Sequence, residues 1–130
     1  MYRSTTREIL VAVEPIYLPD ESSPKDGYYM WAYRVHIENH GPDIVKLVSR
    51  HWKITDAQGH VVEVRGEGVV GEQPVLKPGD SYEYASSTPL STPFGVMGGE
   101  YQMRTAKGEA FDVEIPTFSL QSPFASRVLN

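Results

Sequence analysis

Tyr28-Tyr29-Met30-Trp31-Ala32-Tyr33-Arg34-Val35-His36-Ile37-Glu38 is the stretch that decides the fold. Its odd positions, Tyr29, Trp31, Tyr33, Val35 and Ile37, are uniformly large and apolar, whereas Arg34, His36 and Glu38 fall on the even positions. Successive side chains of a strand point to opposite faces, so this period of two reads as a strand whose odd face looks into a core. The same period recurs on either side. Arg7 to Tyr17 carries Ile9, Val11 and Val13 on one face, and Ser81 to Ser86 carries Tyr82 and Tyr84. Nowhere do apolar residues hold the i, i+3, i+4, i+7 spacing of an amphipathic helix, which makes the chain all-β. Leu18 to Gly27, rich in Pro, Ser and acids, reads as a mobile surface loop between the first two strands.

Two hairpins can be registered from pattern alone. Pairing Ile54 with Val62 and Trp52 with Val64, on a face that also takes Val48, leaves Ala57-Gln58-Gly59 as a three-residue loop. Gly59 then supplies the left-handed residue of a turn with a G1 bulge. Pairing Met103 with Phe111 and Tyr101 with Val113 leaves Ala106-Lys107-Gly108, where Gly108 plays the same part. About seven strands with turn signals between them predict an immunoglobulin-like or fibronectin type III-like β-sandwich, a single domain over residues 1–130. Leu76-Lys77-Pro78-Gly79-Asp80-Ser81-Tyr82 resembles the corner of fibronectin type III domains, with Tyr82 the candidate for the corner hydroxyl.

Composition narrows the function. The chain of 130 residues has no cysteine, which removes disulfides, thiolate nucleophiles and zinc–thiolate sites. Seventeen acids against twelve bases give a net charge of −5, and the bases are scattered singly. Nucleic acid is therefore not an expected partner, because phosphate binding needs clustered Lys and Arg. No apolar run approaches the about 20 residues of a membrane span, and the first residues lack the apolar core of a secretory signal, so a cytoplasmic address is expected.

Candidate sites are few. Gly66-Glu67-Gly68-Val69-Val70-Gly71 matches G-x-G-x-x-G, in which glycines let the backbone approach a phosphate. Pro74 and Pro78 forbid the helix that this mechanism needs, and a bulged strand followed by a tight turn demands the same glycines. Amides of Gly66, Gly68 and Gly71 remain candidates for a weak phosphate or nucleotide ligand. His36 and His40 stand about 13 Å apart along a strand, too far for one metal ion, and His51 and His60 read as surface or hydrogen-bonded residues. Asp112 and Glu114 lie on a solvated outer face beside Gln102. No spacing sets a base against Ser86, Ser87 or Ser91, so no catalytic residue, metal or cofactor is expected. Leu90, Phe94, Val96 and Met97 sit in a Gly- and Pro-rich connection, where they either cap the sandwich or form an apolar patch for a protein partner. The tail over 119–130, with Leu120, Phe124, Val128 and Leu129, either packs onto the domain or stays mobile until a partner holds it.

Arg50-His51-Trp52-Lys53-Ile54-Thr55-Asp56, followed by Glu63 to Pro74 with its glycine-rich stretch, resembles the signature of the bacterial ApaG family. Pro78-Gly79, Tyr84, Ser86, Pro89-Leu90, Thr92, Gly95, Met97, Gly99 and Tyr101 extend the resemblance along nearly the whole chain. It implies a fibronectin type III-like sandwich and an association with cobalt tolerance and magnesium efflux. It also implies kinship with eukaryotic domains found beside an F-box or within a partner of a DNA polymerase. Reuse beside such different neighbours points to a non-enzymatic module that binds an unidentified protein partner.

Overall fold

In the computed structural model, which describes residues 1–125, the central stretch is β3 (Tyr29–Asn39), and all five of its odd positions named above are buried. It pairs antiparallel with β2 (Ile9–Tyr17) on one side and β7 (Ser81–Leu90) on the other. With β1 (Tyr2–Thr6) at its edge, the first sheet runs β1-β2-β3-β7. The second runs β5-β4-β8-β9, from β4 (Val45–Asp56), β5 (Val61–Glu67), β8 (Phe94–Thr105) and β9 (Ala110–Gln121). The two-residue β6 (Val75–Leu76) pairs with β4 beyond the end of β5. The chain is thus an all-β fibronectin type III-like sandwich, with nine strands among the described residues where about seven were expected.

Both expected hairpin registers are present. Ile54 faces Val62, Trp52 faces Val64, Met103 faces Phe111 and Tyr101 faces Val113. Gly59 and Gly108 hold φ of 85° and 92°, the left-handed region such turns require. Of the two strands that pattern reading missed, β6 is only two residues long, and β1 has no apolar alternation. It turns into β2 through Arg7 and Glu8, both at positive φ (48° and 66°), a two-residue turn without the usual glycine.

Bulges reset the phase of two strands. In β4 the register shifts between Leu47 and Ser49, so Val45 and Leu47 face inward before it, and Trp52 and Ile54 after it. Val48, expected on the Trp52 face, is the half-buried residue at that shift. In β9 the extra residue lies between Ile115 and Phe118, opposite Gly98, so Val113 and Ile115 face inward before it, and Phe118 and Leu120 after it. Trp52 is the centre of the core: its ring meets Tyr33 at 5.2 Å and stands edge-on to Tyr101 at 6.4 Å and Phe118 at 6.1 Å.

The segment expected as a mobile loop after β2 is organised by hydrogen bonds. Pro19–Glu21 and Pro24–Asp26 form two 3-10 turns, each opened by its proline. Ser22 ties both ends together, donating from Oγ to Leu18 O (2.7 Å) and accepting from Met30 N (2.8 Å). At the far end, Ser119 to Gln121 are the last residues of β9, Leu120 is fully buried, and Phe124 packs on Tyr29 at 6.3 Å. Val128 and Leu129 lie outside the described residues.

Candidate functional site

The glycine-rich stretch is held from within. Gly66 lies opposite Arg50, and a Cβ on it would stand 2.8 Å from the Arg50 guanidinium, so its bareness makes room for that side chain. Arg50 Nη1 donates to the carbonyls of Glu67 (3.0 Å) and Gly68 (2.9 Å). The Gly68 amide donates to Val48 O at 2.8 Å. Val69 and Glu72 exchange amide bonds of 2.8 and 2.9 Å around Val70 and Gly71, both left-handed at φ 48° and 80°. This is a strand end followed by a tight turn, with Val69 fully buried beneath it. Of the three candidate glycine amides, those of Gly66 and Gly68 are committed to β4.

The four apolar residues of the next connection do not form one exposed patch. Both strands run further than the pattern suggested, leaving only Ser91-Thr92-Pro93 between β7 and β8. Leu90 and Met97 are core residues, 5% and 1% exposed, because alternation along the lengthened strands turns them inward. Phe94 is half-buried, and Val96 is exposed on the opposite face beside Thr55. The turn is fastened by Thr92, whose Oγ1 donates to Phe94 O (2.7 Å) and accepts from Ala57 N (3.0 Å).

The histidines are engaged with carboxylates. His51, 4% exposed on the outer face of the second sheet, bridges Glu100 (2.6 Å) and Glu63 (2.8 Å). That bond holds the Glu63 carboxyl below the usual glutamate range. His36 and His40, apart along the strand, are both drawn to Glu38, at 2.5 and 2.6 Å, and these bonds lower its pKa likewise. His60 lies 3.2 Å from Asp56. Among the described residues no group of three His, Cys, Asp or Glu is arranged to hold a metal ion.

What pattern reading missed is an asymmetry between the two sides of the sandwich. On the β1–β9 side the edges are stitched together. Ser4 Oγ donates to Glu114 O (2.8 Å), and Glu114 N donates to Thr6 Oγ1 (3.1 Å). Arg7 pairs with Glu109 at 3.0 Å and covers the Phe111 ring at 4.3 Å. On the β5–β7 side no hydrogen bond joins the two strands among the described residues. A cleft of about 510 Å³ opens there, lined chiefly by Tyr28, Ile54, Val62, Val64, Pro89 and Leu90. Val62 and Val64 share the core-facing side of β5, yet they are 57% and 38% exposed, because the first sheet ends short of them. Alternation told which face they occupy; only the offset of the sheets left that face bare.

Deeper in, Tyr33, Tyr84 and Tyr101 cluster near Arg50, with the hydroxyls of Tyr84 and Tyr101 hydrogen-bonded to each other. Burial raises the pKa of all three phenols. Tyr82, the candidate corner tyrosine, instead lies against Tyr84 at 6.3 Å and makes no corner bond among the described residues.

The ApaG domain model matches residues 19–105. The chain belongs to the ApaG family. The ApaG proteins of Parvibaculum lavamentivorans and Paramagnetospirillum magneticum are 60% and 59% identical to it, each over all 130 residues and the whole of both chains. The crystal structure of the ApaA protein from Bordetella pertussis superposes with a TM-score of 0.87 at 44% identity, covering 92% of this chain and 97% of that one. The ApaG match takes in Arg50, the glycine turn, both walls of the cleft and the tyrosine cluster. No helix among the described residues is long and apolar enough to cross a membrane.

Proposed function

We propose that this ApaG-family chain is a non-enzymatic protein-interaction module, and that its docking face is the open β5–β7 side of the sandwich. The observation that carries the reading is the contrast between the edges: one side is stitched by Ser4, Thr6 and Arg7, the other leaves an apolar cleft beneath an unprotected strand. An extended segment laid along β5 would complete its backbone hydrogen bonds and send alternate side chains toward Val62, Val64 and Leu90. The link to cobalt tolerance and magnesium efflux then runs through protein contacts made in the cytoplasm rather than through an ion held by this chain.

The full chain, screened against a phage-displayed library of random peptides, should select extended sequences with alternating apolar residues. Those peptides should shift the amide resonances of Val61, Glu63 and Arg65, and Val62→Ser/Val64→Ser should abolish their binding. Peptides that act on another face would overturn the reading. Magnesium and cobalt titrations should leave the spectrum unmoved. Saturable shifts centred on Gly66 to Glu72 with nucleotide would instead make the chain a phosphate binder.

A further inference from the structure

We infer that the partner this face accepts is a second copy of the same chain, with β5 adding antiparallel to β5 across a two-fold axis through Val64. The inference rests on the docking face argued above and fixes its occupant.

The free edge of β5 follows from its bonds to β4. Asp56 N donates to His60 O and Gly68 N donates to Val48 O, in line with the pairs Ile54–Val62, Trp52–Val64 and Arg50–Gly66. In an antiparallel ladder, hydrogen-bonded pairs alternate with unbonded ones. The even residues of β5 therefore bond to β4, and Val61, Glu63 and Arg65 turn their N–H and C=O groups outward. Arg50 occupies the carbonyl of Glu67, which ends the free edge there. β5 is seven residues long, contains no proline and lacks the cross-sheet hydrogen bonds that stitch the opposite side.

Charge selects both the partner and the register. A two-fold centred on Glu63 would set that carboxylate against its own copy, and one centred on Arg65 would oppose two guanidinium groups. Centred on Val64, Glu63 of each chain lies opposite Arg65 of the other, twice over, on the outer face. On the cleft face Val64 meets Val64, and Val62 meets Gly66, where it would lie against the Arg50 guanidinium that fills the space over that glycine. Opposite charges directly across a ladder attract and like charges repel, so the register centred on Val64 is the one that sets Glu63 opposite Arg65. The axis also brings the two exposed apolar patches, with Val62 57% exposed, into one continuous cleft.

The test uses the absence of cysteine, which makes any disulfide in a single-cysteine variant a bond between copies. Opposed Cβ atoms at an unbonded pair lie about 4.5–5.5 Å apart, close to the span of a disulfide. Full-length Val64→Cys should form a covalent dimer under mild oxidation. Val62→Cys should not, because the two copies of residue 62 stand about 13 Å apart along the ladder. Arg65→Glu in the Val64→Cys background should reduce cross-linking at least tenfold, and adding Glu63→Arg should restore it. Circular dichroism would verify that each variant is folded. Equal cross-linking at positions 62 and 64, or none at 64 in a folded variant, overturns the second copy as occupant. A chain that stays uncrosslinked while Val62→Ser/Val64→Ser still loses its peptides overturns this inference and leaves the docking face standing.

Discussion

At the scale of single residues, the glycines of the signature stretch owe their places to different causes, and substitution separates them. Gly68 sits at φ 60° with Glu72 O only 2.1 Å from where a Cβ would be. Gly99 sits at φ 154° with His51 O at 1.9 Å. Both contacts are with backbone, which cannot swing aside, so Gly99→Ala should cost more than about 3 kcal/mol in urea unfolding. Gly66→Ala meets only the flexible end of Arg50 and should cost about 1 kcal/mol or less, at the expense of the Arg50 bonds to Glu67 and Gly68. Glycines 66 and 68 are thus legible in the sequence as a motif, but its meaning is not, because a phosphate nest and a bulged strand end require the same residue type. The tyrosines make a second residue-scale prediction. Burial raises the phenol pKa values of Tyr33, Tyr84 and Tyr101, so a spectrophotometric titration should show these three of the eight tyrosines ionising after the others. A pKa raised in the folded state stabilises below the unfolded value and ceases to do so as pH rises through the folded one, so these phenols should ionise together with alkaline unfolding.

At the scale of elements, β3 and β5 show how far a pattern reaches. Alternation in β3 identified its buried face correctly because it is a central strand with a partner on each side and a sheet above it. The same alternation in β5 identified the face of Val62 and Val64, and its hairpin fixed their register, but burial did not follow, since nothing lies above an edge strand that overhangs the facing sheet. Val62→Ser/Val64→Ser should therefore lower stability by less than about 1 kcal/mol. Trp52→Ala, which empties the centre of three aromatic contacts, should cost about 3–5 kcal/mol by the same denaturant measurement. β1 escaped sequence reading for the converse reason. Its residues are mostly exposed, and it is held by its ladder to β2 and by Ser4 and Thr6 reaching β9, neither of which leaves an apolar signature.

At the scale of the molecule, the charged groups that fasten the surface set its response to acid. Glu38 is held below its ordinary pKa by His36 and then His40, Glu63 by His51, and Glu109 by Arg7. Carboxyls with depressed folded pKa values contribute stability above about pH 4.5, their unfolded value, and lose it as pH falls through the folded values. The thermal midpoint should hold between pH 7 and 5 and decline below about 4.5, with a shallower decline in Glu109→Gln, which has already lost its ion pair with Arg7. The folded chain exposes 7277 Å², near the about 6,900 Å² expected for a single compact domain of its mass. Its all-β class, its two three-residue hairpins and the inward face of its central strand were determined by the sequence alone, because period, turn chemistry and side-chain size are local properties. The phase shifts at Val48 and at Pro116–Thr117, the burial of Leu90 and Met97, and the closed and open sides were decided only in the tertiary structure. The shifts and the lengthened strands depend on pairing between strands, and the open side on how one sheet is offset over the other, relations between residues far apart in the chain.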